Sequence, residues 1–77
     1  LDNRQAAIMQ YQEVINFGPN TEQAAFSQLH IAYCYDKQGE INQAITEAQV
    51  ILDKYKNSEY VDDALLMIGE MYSLKGD

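Results

Sequence analysis

Apolar side chains recur along this chain every three or four residues, the helical period, and turn residues interrupt the pattern at intervals. Residues 2–16 place Ala7/Ile8, Tyr11 and Val14/Ile15 on one stripe. Gly18-Pro19-Asn20 ends it, because proline disfavours helical backbone in the residue before it. Asn20 or Thr21 is placed to cap a second helix, with Glu22 near its positive end and Ala25, Gln28/Leu29, Ala32 and Tyr35 as its stripe. That helix should end near Lys37, with Gly39 as the left-handed residue that closes it. Ile41, Ala44/Ile45, Ala48, Ile51/Leu52 and Tyr55 mark a third helix, and Asn57-Ser58 the next boundary and cap. Val61, Ala64/Leu65, Ile68 and Tyr72 mark a fourth, with Gly76 just past it. Alternation never holds long enough for a strand. The expectation is one all-α domain of four helices, with Ala32, Ala44 and Ala48 where the second and third helices approach.

The punctuation repeats as well as the period. Shifting the chain by 37 residues lays Ala7-Ile8 on Ala44-Ile45, and Val14-Ile15 on Ile51-Leu52. It also lays Asn20-Thr21-Glu22 on Asn57-Ser58-Glu59, Leu29 on Leu66, Tyr35 on Tyr72 and Gly39 on Gly76. Caps, core positions and turn glycines in one register define an internal repeat. A two-helix repeat of that length belongs to stacked antiparallel helix-turn-helix units, an α-solenoid, in which each hairpin buries its apolar face only against neighbours. Residues 20–56 make one full hairpin, with half repeats at 1–19 and 57–77. So short an array predicts marginal stability or self-association through exposed ends, and the starting leucine suggests a piece of a longer protein.

The repeat resembles the tetratricopeptide family, whose first helix carries a bulky residue, Leu-Gly and Tyr, and whose second carries Ala, a bulky residue and Pro. Leu65, Ile68-Gly69 and Tyr72 supply the first set, and Gln28, Ile31-Ala32 and Tyr35 a looser copy. Ala7, Tyr11 and Pro19, then Ala44, Ala48 and Lys56, supply the second, with Gln28, Ala48 and Lys56 as departures. The three residues beyond the usual period of about 34 fall at Glu22-Gln23-Ala24 and Glu59-Tyr60-Val61, and should lengthen each first helix by nearly a turn. Residues 54–65 look like the long-repeat subgroup of bacterial envelope proteins, the outer-membrane assembly lipoproteins and Tol-Pal coordinators. That likeness implies a periplasmic or cell-envelope location, and the tetratricopeptide resemblance as a whole implies a short right-handed solenoid.

Charge narrows the partner. Twelve acidic against five basic side chains leave a net charge of -7, which disfavours nucleic acid and anionic membrane surfaces. No apolar run is long enough to span a bilayer. Lys37, Lys54, Lys56 and Lys75 lie at helix C-termini, and Asp2, Glu22, Glu40 and Glu59 at N-termini, as backbone dipoles favour. His30 stands alone, and Cys34 near a helix C-terminus reads as buried and inert. Asp62-Asp63 diverge on a helix and read as an acidic first turn. No nucleophile set, phosphate loop or zinc spacing is present, so no cofactor, metal or catalytic role is expected.

What the resemblance implies is a protein-binding role, with first helices lining a concave face for a peptide or partner helix. The matching positions are Phe26, Leu29, His30, Tyr33 and Asp36, then Asp63, Leu66, Met67, Glu70 and Ser73. Phe26, Leu29, Tyr33 and Leu66 would be the apolar anchors, so Tyr33→Ala and Leu29→Ala should weaken binding without unfolding the domain. The family's Lys/Arg/Asn clamp for C-terminal carboxylates is absent: Leu29, His30, Tyr33 and Asp63 hold its places. The alternative role is self-assembly of a parent protein into a homo-oligomer through the repeat ends.

Overall fold

The computed structural model describes residues 3–76; Asp2, expected at the first helix N-terminus, lies outside the described residues. Four helices follow one another: α1 (Asn3–Phe17), α2 (Glu22–Lys37), α3 (Ile41–Lys54) and α4 (Val61–Lys75). Among the described residues there is no strand. Each helix packs against its neighbours in sequence, giving a slab of Cα atoms 37 × 35 × 13 Å. This is a run of stacked antiparallel helical hairpins.

The turns follow from local chemistry. Thr21 is the cap of α2: its Oγ1 accepts from the Ala24 amide at 3.1 Å and donates to the Gly18 carbonyl at 2.7 Å. At the far end the Gly39 amide donates to Asp36 O and the Glu40 amide to Tyr35 O, a crossed pair closing the helix. That pair needs positive φ, and Gly39 and Gly76 both have it, at 80° and 82°.

The added residues act differently in the two units. They extend α2 from Glu22, but 58–60 form a turn and α4 starts only at Val61. The cause is Ser58, whose Oγ accepts from the Tyr60 amide only two residues on and donates to Glu22 Oε1 at 2.6 Å. Glu59 therefore lies in the turn, and Asp62 and Asp63 supply the acid of the first turn.

Ala32, Ala44, Ala48 and Ile51 are fully enclosed, and Leu29, Ile31 and Ile45 are buried in the same core. Gln28 is buried there too, donating to the Glu47 carbonyl at 2.9 Å and to its Oε1 at 2.8 Å. A buried amide would be costly without those partners. Tyr55 donates its hydroxyl to Pro19 O at 2.7 Å, tying the foot of α3 to the loop before α2.

On α4 the expected stripe is displaced. Ala64, Met67 and Met71 are buried, whereas Leu65 and Tyr72 are exposed, as is Val14 on α1. The reason is neighbours: α4 has only α3 beside it, so the side its counterpart α2 turns toward α3 meets nothing. Cys34 is only partly buried against the core.

Candidate functional site

Phe26, His30 and Tyr33 stand at i, i+4 and i+7, one above another on α2. The imidazole of His30 is their centre: Phe26 lies 4.2 Å away between centroids, Tyr33 5.3 Å away edge-on, and Tyr11 of α1 5.5 Å away. Tyr60, from the turn before α4, meets Phe26 at 5.8 Å. Rings from two helices and one turn thus share a face, in the tilted and edge-on arrangements aromatic quadrupoles prefer. Phe26 remains 40% exposed, and an open cleft of ≈ 220 Å³ lies beside it between Glu22, Gln23 and Tyr60.

The rim is acidic. Burial and then the charges of Asp63 and Glu70 push the Tyr33 hydroxyl above its usual range. Partial burial, then the charges of Glu59 and Glu22, do the same for Tyr60. His30 is lowered by burial, so it stands neutral at pH 7. A neutral ring cluster edged with carboxylates suits a side chain with an apolar stem and a positive end.

The positions expected to line a groove separate into three sets. Phe26, His30 and Tyr33 touch one another, and Asp63 and Glu70 act on Tyr33. Leu66 and Ser73 are exposed on α4, and Asp36 is half-buried one turn beyond Tyr33. Leu29 and Met67 are each only 3% exposed, so they are corrected to core residues with no surface to offer. Leu29 faces the α3 seam and Met67 the α3 side of α4. Tyr11 and Tyr60 join the cluster without having been nominated. Tyr11 sits on a core stripe, and Tyr60 is brought in by the Ser58 turn, which helical spacing does not show.

A larger cleft, ≈ 370 Å³, lies between the loops and is lined by Asn20, Thr21, Tyr55 and Ser58, among others. Several of its polar groups are already bonded within the chain: Tyr55 to Pro19, Ser58 to Glu22, Thr21 to its own helix. It is a seam between units. Among the described residues no three His, Cys, Asp or Glu side chains converge to hold a metal ion, and no helix is long and apolar enough to cross a membrane.

The fold and the ringed face together define a helical-hairpin repeat protein. The family model for the tetratricopeptide repeat matches residues 26–58, which take in most of α2, the Gly39 turn, α3 and the loop after it. Over those residues the chain is similar to the tetratricopeptide repeat. The match does not reach residues 59–65, and nothing in it supports the envelope subgroup. Neither the curated proteins nor the solved structures contain a match.

Proposed function

We propose that this chain is a non-enzymatic binding module, and that a peptide or partner helix lies across the aromatic face of α2, with residues 20–56 as the complete unit between two half repeats. The carrying observation is the ring cluster of Phe26, His30, Tyr33, Tyr11 and Tyr60, with Asp63 and Glu70 bearing on Tyr33. The partner presents an apolar or long-stemmed side chain to the rings and a basic group to the rim. Exposed ion pairs contribute about 0–1 kcal/mol, so ring contact sets affinity and the carboxylates set sign preference.

A peptide-display selection on the folded chain tests this. Enrichment of Lys or Arg beside aliphatic or aromatic residues is the expected outcome, and enrichment of acidic peptides contradicts it. A second reading, self-assembly through the repeat ends, is favoured by the exposed Leu65, Leu66 and Tyr72 on α4. The envelope location follows from the likeness of residues 54–65 alone, and neither reading depends on it.

A further inference from the structure

One cleft on the aromatic face is built by two units at once. Phe26 stands on α2 and Tyr60 in the turn before α4, their rings 5.8 Å apart between centroids and inclined at 63°. Glu22 and Gln23 line the rest of this open cleft of ≈ 220 Å³. The 37-residue register lays Gln23 on Tyr60 and Phe26 on Asp63, so it does not repeat the ring pair. The cleft belongs to these particular side chains and not to the hairpin repeat.

One hydroxyl ties its two walls together. Ser58 Oγ donates to Glu22 Oε1 at 2.6 Å and accepts from the Tyr60 amide at 3.0 Å. A carboxylate accepts at both oxygens, so Glu22 is held at the cleft with capacity for a further donor. After burial, the charges of Glu59, Glu22 and Asp63 raise the Tyr60 hydroxyl, which places the polar end of that ring in a negative field.

We propose that the cleft between Phe26 and Tyr60 receives an arginine side chain of the partner, with its guanidinium stacked on a ring and its N–H groups donating to Glu22. This rests on the binding-face reading above and names the basic residue that reading leaves open. Charge complementarity selects a cation, and the openness of the cleft selects among cations. The ammonium of lysine is compact and strongly hydrated, and an open cleft does not strip its water. A guanidinium is planar and weakly hydrated, and it stacks on a ring while its edge donors stay free for a carboxylate. A quaternary ammonium has no N–H to offer Glu22, and two inclined rings do not enclose it. Ser58 is then a positioning residue that acts through Glu22 and Tyr60.

NMR titration of the folded chain with the N-acetyl amides of arginine, lysine and the neutral isostere citrulline tests this. The arginine amide should shift the backbone signals of Gln23, Phe26 and Tyr60, and should bind at least about fivefold more tightly than the other two. Tyr60→Ala and Glu22→Gln should each remove that preference, whereas Tyr60→Phe should keep it. Ser58→Ala should lower the ratio of arginine to lysine affinity, which a general loss of stability does not move, and Ser58→Thr, which keeps the hydroxyl, should restore it. Equal binding of the arginine and lysine amides, or no shift at those three residues, overturns the arginine pocket. The binding-face reading fails separately, by a selected peptide that keeps its affinity in both Phe26→Ala and Tyr33→Ala.

Discussion

Single residues divide cleanly into those that hold the fold and those available to a partner. Leu29→Ala removes a side chain from the α2–α3 seam and should cost about 2–5 kcal/mol in chemical denaturation. Phe26→Ala, at a position 40% exposed, should cost far less while removing exposed ring surface from the cluster. Gly39→Ala is governed by backbone alone: φ is 80° and nothing lies within 4 Å of an added Cβ, so the loss should be about 1–2 kcal/mol. The same conformation recurs at Gly76, as the repeat register requires. Gln28→Ala should cost about 1–3 kcal/mol by leaving a buried seam without its two bonds to Glu47. In the family resemblance Gln28 was a departure; in the structure it is a cross-brace.

At the scale of helices, the periodic pattern was enough to show that there are four, where the turns lie and which unit repeats. It was not enough to show which side of a terminal helix is covered. Leu65 and Tyr72 obey the apolar period as well as Ile51 does, and only the absence of a neighbour on that side leaves them exposed. Burial is a property of packing partners, and a one-dimensional pattern reports only the capacity for it. The candidate site was legible in the same partial way. The i, i+4, i+7 spacing of Phe26, His30 and Tyr33 could be read directly, whereas Tyr60 enters through a Ser58 side-chain bond that shortens α4. Gly69 tests this view of α4. It is helical, and an added Cβ would meet nothing, so Gly69→Ala should raise stability by about 0.5–1 kcal/mol in thermal or urea unfolding. Were α4 covered on that side, the gain would vanish.

For the whole molecule, the described residues form a thin slab in which no helix is surrounded, and the chain carries a net charge of -7. Such an array gains little from any one interface, so its stability should respond to the state of the few groups at its seams. His30 is one of them. Burial lowers its pKa below the ordinary 6.5, so the unfolded chain takes up a proton first as pH falls. Its contribution is therefore complete above pH 6.5 and is lost as pH falls through the unfolded value toward the lowered folded one. Urea midpoints from pH 8 down to 5 should show this decline, and His30→Gln should remove that part of it. Protonation would also place a cation among the rings a basic partner side chain needs, so binding should weaken over the same interval.

The aromatic face is the central claim, and affinity is its most direct measure. Titration of the folded chain with a peptide selected for binding should give a dissociation constant that rises at least about tenfold in both Phe26→Ala and Tyr33→Ala, with helicity retained. Leu74→Ala, on the solvent side of α4, should leave it unchanged. Unaltered affinity in both ring variants would contradict the account.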